Sequence, residues 1–225
     1  MATLFLWDLD ETLITTAGAG ERAIIRSARK HWKVEVDLAR IPYAGKTDRR
    51  IGHLIREHFD LPEDEPTHRA YLEDFVNFVG EELPESKARV LPGVREVVEA
   101  AHASPDHWQG MLTGNLCAAA EAKLVPFGFW TFFPFGAFAD DALERTDLGP
   151  IALSRASEYA SHAFAPEDVI VIGDTPNDIA CARSLGARCL AVATGHFTLA
   201  QLGAHEPDHL VASLETPSAR SFLSL

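Results

Sequence analysis

The chain has 225 residues, 47% of them hydrophobic, and its 33 acidic and 20 basic side chains give a formal net charge of −13. This length and apolar content predict a globular protein with one domain and a sizeable insertion. The acidic balance argues against nucleic acid or an anionic membrane as a partner, because both would repel the surface of the protein.

An apolar run, TLFLW, begins at residue 3 and predicts a strand that is buried on both faces. From about residue 19 to residue 88 the sequence shows only helical periodicity, in ERAIIRSARKHW, DRRIGHLIREHF and RAYLEDFVNFVGEEL. Polar or proline-containing turns separate these helices. A helical block that follows the first strand predicts an inserted domain at residues 17–88.

Alternating strands and helices resume after residue 88. The predicted strands are WQGMLT, DVIVIG and RCLAV, with DHLVASL as a further candidate, and the predicted helices are GVREVVEAAHA, NLCAAAEAKLV, PIALSRASEYASHA and PNDIACARSLGA. Such alternation favours a parallel sheet. The fold expected is therefore α/β, with a Rossmann-like parallel-sheet core at residues 1–16 and 89–225 that carries the α-helical insertion.

Two aspartates, Asp8 and Asp10, follow the first predicted strand. In an extended segment they project from the same side and repel each other, unless one is protonated or a cation lies between them. Ligands of open α/β sheets bind beyond the carboxyl ends of the strands, where this pair falls. One carboxylate would suit nucleophilic attack on phosphorus and the other proton transfer; a solvated turn with Thr12 as a helix cap is the alternative.

Polar side chains also follow two later strands. GMLTGN places Thr113, Gly114 and Asn115 at a predicted helix start, where a hydroxyl and free N–H groups suit either a phosphate oxygen or a simple turn. VIVIGDTPND places Asp174 after a strand and Asp178 four residues on. With the first aspartate of the leading pair, Asp174 would supply the carboxylates that Mg²⁺ prefers, although GDTPND also fits a turn before a helix.

Taken in order, WDLDETL, LTGN and IGDTPND resemble the motifs of the haloacid dehalogenase superfamily, specifically its phosphatase branch and its phosphoglycolate-phosphatase-like members. The resemblance covers nearly the whole chain, and the insertion is similar to the α-helical cap of that family. It implies a Mg²⁺-dependent phosphatase that acts through an aspartyl phosphate. The acidic side chain at position 10 resembles the pattern of the phosphatases, because dehalogenase-like relatives need no proton donor there. Thr12 also resembles the phosphatase pattern, because sugar phosphomutases more often carry valine at that position.

By position, the resemblance implies that Asp8 is the nucleophile and a metal ligand. Asp10 would be the general acid and base, with its backbone carbonyl also on the metal. Thr113 would bind the transferring phosphoryl group, assisted by backbone groups near Gly114 and Asn115.

In the last motif, the resemblance implies Asp174 as an acidic metal ligand and Asp178 as a second ligand or an outer partner. Thr12 would help to orient the loop that carries the general acid. Glu11 departs from the family, which commonly has glycine there, so we expect the backbone at this position to avoid a positive φ.

The lysine that the family usually places before the last motif is missing, because no lysine follows Lys123. Arg145 precedes the helix predicted from Pro150 and is the best substitute, since a guanidinium group can hold phosphate or carboxylate through two parallel bonds. The alternative for Arg145 is a surface ion pair with Asp141 or Asp147. Lys123 itself, in the middle of a helix, is expected on a solvated face.

Within the insertion, YAGKTDRRI places Lys46 where it would contact an anionic leaving group, with Thr47 or Asp48 as a helix cap. The histidines of the insertion show no repeated metal-ligand spacing and are expected at the surface or partly buried: His31, His53, His58 and His68.

The sequence thus predicts a phosphoric monoester hydrolase for a small phosphorylated metabolite, with Mg²⁺ as cofactor and neither nucleic acid nor membrane as a partner. A sugar phosphomutase of the same superfamily and a noncatalytic phosphate-binding regulatory module are the alternatives. Three cysteines without a CxxC pair, and no leader or membrane-length apolar run, predict a cytoplasmic protein. The identity of the ester and the oligomeric state are left open.

Overall fold

A computed structural model describes residues 2–225 of the chain. In this range the strands are β1 Thr3–Trp7, β2 Ile14–Thr15, β3 Arg89–Val90, β4 His107–Leu112, β5 Gly136–Ala137, β6 Val169–Gly173, β7 Arg188–Val192 and β8 His209–Val211. The α-helices are α1 Ala19–Trp32, α2 Asp48–His58, α3 Glu65–Glu85, α4 Val94–Ala103, α5 Cys117–Leu124, α6 Arg145–Ala160, α7 Pro176–Leu185, α8 Leu199–Gly203 and α9 Pro217–Leu223. None of the helices described is both long enough and apolar enough to cross a membrane.

Six strands form one parallel sheet in the order β5-β4-β1-β6-β7-β8. The predicted α/β class is therefore confirmed, and the further candidate strand is β8. β1 is buried on both faces, as its unbroken apolar run predicts: Phe5 and Trp7 pack with α4 and α5, whereas Leu4 and Leu6 pack with α6 and α7.

The register of the sheet brings three strand ends to one edge. Trp7 lies opposite Met111 of β4 on one side and opposite Ile172 of β6 on the other. Because the three strands are parallel and end at nearly the same level, the residues that follow them meet beyond the same edge, as ligand sites of open α/β sheets require.

Helices α1, α2 and α3 make up the insertion, and residues 19–85 contain no strand. Their apolar faces form a cluster of their own, which Leu116 and Ala119 of the core also join. The two chain passages between core and insertion pair as a small antiparallel ribbon, with Ile14 opposite Val90. The exact division of the chain at residues 16 and 89 stays a prediction.

The expectation for His68 is wrong, because its side chain is only 2% exposed. It stacks on His53, with ring centroids 4.4 Å apart, and neither of its ring nitrogens has a hydrogen-bond partner within residues 2–225. Burial, assisted by the nearby His53 and Arg56, lowers the pKa of His68 to about 4. This histidine is thus a neutral core side chain between α2 and α3.

Two helix starts also differ from prediction. α6 begins at Arg145, five residues before Pro150, which is accommodated inside the helix. The bond that this proline cannot donate would go to the carbonyl of Thr146, an exposed residue of the first turn, so the loss is small. α5 begins at Cys117 rather than directly after Gly114. The residues between therefore form a loop at the edge of the sheet.

Candidate active site

Asp8 is the first residue after β1 and is 4% exposed. Its amide donates to the carbonyl of Ile172 at 2.9 Å, which continues the β1–β6 ladder and fixes the backbone. Its Oδ1 lies 2.9 Å from Nη2 of Arg145. Burial raises the pKa of Asp8 to about 6, although the guanidinium group opposes this shift.

Arg145 is the first residue of α6 and is buried. Besides Asp8, its Nη2 reaches Asp178 and donates to the carbonyl of Leu112 at 3.1 Å. The alternative of a surface ion pair with Asp141 or Asp147 is wrong, because Arg145 is buried and its ion-pair partners are Asp8 and Asp178. Nε of Arg145 is buried without a hydrogen-bond partner among the residues described, which leaves a donor for a bound ligand.

The loop after Asp8 is a tight turn in which the carbonyl of Leu9 accepts from the amides of Leu13, Thr12 and Ile14 at 2.9–3.3 Å. Glu11 sits in this turn with φ 57°, so the expectation that it avoids a positive φ is wrong. Two contacts offset the cost of this conformation: Oγ1 of Thr15 donates to the Glu11 carboxylate at 2.6 Å, and Thr194 donates to its carbonyl.

Asp10 faces a second cation, because Nζ of Lys123 lies 2.9 Å and 2.7 Å from its two carboxylate oxygens. Lys123 is 3% exposed, so the expectation of a solvated face is wrong. On the short α5 helix, Ala119, Ala120 and Leu124 are the other residues of the buried face. The position of Lys123 among these small and aliphatic residues was the sequence signal for its burial.

The loop after β4 is held by its own side chains. Oγ1 of Thr113 accepts from the side-chain amide of Asn115 at 2.9 Å and from the Asn115 backbone at 3.4 Å. Because the hydroxyl accepts these bonds, its single proton stays free for another acceptor. The Asn115 amide also donates to Asp10 at 2.9 Å, so its side chain links the first and second motifs.

Asp174 follows β6 and is 3% exposed. Carboxylate oxygens of Asp8, Asp174 and Asp178 all lie within 4.8 Å of one another. Burial and the neighbouring Asp8 raise the pKa of Asp174 well above its usual value. Its hydrogen-bond partner in residues 2–225 is the Thr12 hydroxyl, which donates at 3.5 Å. The role expected for Thr12, orienting the loop that carries Asp10, stays a prediction.

Asp178 is the third residue of α7 and serves the helix itself. It accepts from the amide and hydroxyl of Thr175 at 3.0 Å and 2.7 Å, a capping box, and also from Arg145. Both carboxylate oxygens are thereby occupied. This contact set favours an outer partner over a direct metal ligand.

The start of α2 joins the insertion to the core. Thr47 is the helix cap, since its hydroxyl accepts from the Arg50 amide at 3.1 Å, and it donates to a core carbonyl at 2.6 Å. Asp48 instead reaches the loop after β4: its amide donates to Gly114 and its carboxylate accepts from Leu116, both at 2.7 Å. Gly114 allows this approach, because a Cβ there would lie 2.3 Å from the Lys46 carbonyl.

A cavity of about 110 Å³ lies between the insertion and the carboxyl edge of the sheet. From the core, its charged lining includes Asp8, Asp10, Lys123, Arg145 and Asp174. From the insertion, its lining includes Ile24, Tyr43, Lys46, Ile51 and Phe75. The apolar part of this wall could not be assigned from sequence, because these residues share the helical periodicity of an ordinary core.

Comparison with known proteins gives the same family as the motifs. The model of the family described as haloacid dehalogenase-like hydrolase matches residues 5–183. A protein named "Probable phosphatase IndB" from Dickeya dadantii (strain 3937) is 28% identical over 221 residues, covering 94% of this chain and 90% of the relative. A phosphoglycolate phosphatase from Vibrio parahaemolyticus serotype O3:K6 is 25% identical over 225 residues, covering 94% and 92%.

Solved structures share the whole architecture. A predicted phosphoglycolate phosphatase from Haemophilus somnus 129PT has a TM-score of 0.74 at 17% identity, covering 98% of both chains. A β-phosphoglucomutase from Clostridium difficile has a TM-score of 0.79 at 17% identity, covering 100% of this chain and 96% of the other. At this identity the structures support the fold alone. The family model, however, spans most of the sequence and all three motifs, so the chain belongs to the haloacid dehalogenase-like hydrolases.

Proposed function

We propose that this enzyme is a Mg²⁺-dependent phosphatase that hydrolyses a small phosphorylated metabolite through an aspartyl phosphate on Asp8. The observation that carries the proposal is that two neighbouring carboxylates at one cavity have different cationic partners. Asp8 pairs with Arg145, whereas Asp10 pairs with Lys123. Carboxylates with different surroundings can take different roles, one as nucleophile and one as acid and base.

The carboxylates of Asp8 and Asp174, with the backbone carbonyl of Asp10, would hold the Mg²⁺ ion. The fit is supported by Asp174, a buried carboxylate whose hydrogen-bond partner in the described range is one hydroxyl at 3.5 Å. Glycine at position 195 leaves space beside this carboxylate. A Cβ at position 195 would fill that space, because it would lie 1.8 Å from Oδ2 of Asp174. An all-oxygen donor set suits a hard cation. When bound, Mg²⁺ would neutralise charge on the phosphoryl oxygens.

In the first proposed step Asp8 attacks phosphorus, the bond to the leaving oxygen breaks, and Asp10 gives that oxygen a proton. The unpartnered Nε of Arg145 and the free proton of Thr113 would hold phosphoryl oxygens. In the second step Asp10 takes a proton from a water molecule. The water oxygen bonds to phosphorus, and the bond between phosphorus and Asp8 breaks. Phosphoryl transfer asks the protein mainly for such positioning and charge stabilisation.

The size and lining of the cavity support a small ester as substrate. Ile24, Ile51 and Phe75 limit the space for the leaving group, and Lys46 is the cation that the insertion contributes to the lining. The Lys46 ammonium group has no ion-pair partner among residues 2–225, so we propose that it binds an anionic group of the substrate. A short anionic ester of the phosphoglycolate type agrees with the name of the Vibrio parahaemolyticus relative.

The proposal is tested by phosphate release from a panel of small phosphate esters, with and without Mg²⁺, for wild type and for Asp8→Asn. We expect release by the wild type with Mg²⁺ and a loss of at least about 1,000-fold in the variant, because the nucleophile is removed. Asp60→Asn, an exposed change in the insertion, is the matched control and should keep full activity.

Two results would contradict the proposal. Equal release by wild type and Asp8→Asn would remove Asp8 from the reaction. Return of the phosphoryl group to a second hydroxyl of a sugar phosphate, seen by product analysis, would favour the phosphomutase alternative.

A further inference from the structure

Lys123 is a buried cation that the three motifs do not include. It belongs to α5, whose other buried residues are small or aliphatic, and its side chain is 3% exposed. Burying an ammonium group is costly unless it is paired and hydrogen-bonded. Its contacts must therefore explain why the chain keeps a lysine there.

All three protons of the ammonium group have acceptors. Nζ lies 2.9 Å and 2.7 Å from the two oxygens of Asp10 and 2.6 Å from Oδ1 of Asn115. Burial alone would lower the pKa of Lys123, but the carboxylates of Asp10 and Asp48 outweigh it and raise the pKa. With its protons occupied, this lysine has no donor left for a phosphoryl oxygen.

The same contacts immobilise Asp10. Its side chain is 40% exposed at the cavity and would otherwise be free to change rotamer. Lys123 contacts both of its oxygens, and the Asn115 amide donates to Oδ2 while also donating to Thr113. The network therefore ties the orientation of Asp10 to the loop after β4.

We propose that Lys123 is a positioning residue for the proton transfers of Asp10, an inference that rests on the proposed phosphatase function. A proton must pass between Asp10 and the leaving oxygen, and later between water and Asp10, over hydrogen-bond distances. A misplacement of about 1 Å can cost on the order of 100-fold in rate. Because Lys123 acts through Asp10, its loss should lower kcat and leave KM nearly unchanged.

The test is a double-mutant cycle with Lys123→Met and Asp10→Asn, with p-nitrophenyl phosphate and one alkyl phosphate from the active panel as substrates. We expect Lys123→Met to lower kcat by about 10- to 100-fold and to change KM by less than about 3-fold. In the Asp10→Asn background the same change should alter kcat by less than about 2-fold, since the residue it positions is already gone.

Lys30→Met is the matched control, because Lys30 makes an ion pair with Asp74 at 2.6 Å on the surface of the insertion. It should leave kcat unchanged. Thermal unfolding of each variant separates loss of fold from loss of positioning. Should Lys123→Met fail to fold, Lys123→Gln, which keeps one amide donor, takes its place in the same cycle with the same criteria.

Unchanged kcat in the lysine variant would overturn the inference, as would an equal loss in the Asp10→Asn background. A raised KM with unchanged kcat would instead assign Lys123 to substrate binding and equally overturn it. These results leave the phosphatase proposal intact. A wild type that releases no phosphate from any ester of the panel would overturn both.

Discussion

Asp8 and Asp10 lie two residues apart, yet each has its own cation from a different helix. Arg145 comes from the start of α6 and Lys123 from the last turn of α5. The two pairs relieve the repulsion between the carboxylates and keep them from sharing one partner. These different surroundings are what would allow the two proposed roles, with Asp8 as nucleophile and Asp10 as acid and base.

His68 gives a residue-level prediction for acid stability. Its pKa is lowered to about 4, so between pH 6.5 and about 4 the unfolded chain binds a proton that the folded chain does not. Stability must fall as the pH falls through this window, by roughly 2 kcal/mol at pH 5 from this group. We expect His68→Phe, which keeps a ring against His53, to narrow the difference in Tm between pH 7.5 and pH 5.

The measurement is thermal unfolding of both proteins at the two pH values. His58→Phe, at an exposed position of the neighbouring helix α2, is the control and should leave the difference at its wild-type value. If His68→Phe lost as much stability on acidification as the wild type, the buried imidazole would not be the source.

At the scale of elements, the contact between α2 and the loop after β4 predicts the effect of one methyl group. A Cβ at Gly114 would lie 2.3 Å from the Lys46 carbonyl, and backbone cannot move aside as a side chain can. We expect Gly114→Ala to push the start of α2 away from the core and to lower kcat/KM by at least about 10-fold. Steady-state kinetics on the best ester of the panel measures this.

Gly80→Ala is the matched control, because Gly80 is exposed in α3 and a Cβ there would meet nothing within 4 Å. It should keep full activity and gain about 0.5–1 kcal/mol of stability, since alanine favours a helix. Similar kinetics for the two alanine variants would mean that the approach of the insertion at Gly114 does not matter for turnover.

The elements of the core were predictable because strand and helix each have a strong local period, and β1, β4, β6 and β7 were found where apolar runs end in polar turns. The two-residue strands β2, β3 and β5 were not, since two residues show no period. The positions of the motif residues were predictable as well, because these residues directly follow the predicted strands.

Some of the site was not accessible from sequence. The burial of Lys123 had a local signal in α5, but its pairing with Asp10 could not be assigned, because a partner 113 positions away leaves no local pattern. The prediction for the φ of Glu11 was wrong because it considered the residue type alone. The structure shows a local contact from Thr15 and a distant one from Thr194 that stabilise the disfavoured backbone conformation.

At the scale of the molecule, a bound ion should stabilise the fold, because Asp8 and Asp174 bury charge at one edge of the sheet. We expect Mg²⁺ at about 100 times its Kd to stabilise the protein by about 2.7 kcal/mol. For a chain of this length that is a rise in Tm of roughly 5–10 °C. Differential scanning calorimetry with Mg²⁺ and with a chelator measures the shift.

Asp174→Asn tests the assignment of this effect. The variant should lose the Mg²⁺-dependent rise, while its metal-free Tm should equal or exceed that of the wild type, because one of two repelling buried carboxylates is gone. NaCl at matched ionic strength is the control, since a net charge of −13 is screened by any cation. A full Mg²⁺ response in the variant would place the ion elsewhere.

The ribbon of β2 and β3 has a consequence for how such a protein can change. Ile14 and Val90 are neighbours in paired strands, so the two ends of the segment between them lie close together. The chain leaves the core and returns to it at points about 5 Å apart. A segment with adjoining ends can be exchanged for one of another length or shape without stretching the remaining chain. New substrate preferences can thus be acquired by replacing one piece of the gene, while the chemistry at the sheet edge is inherited unchanged.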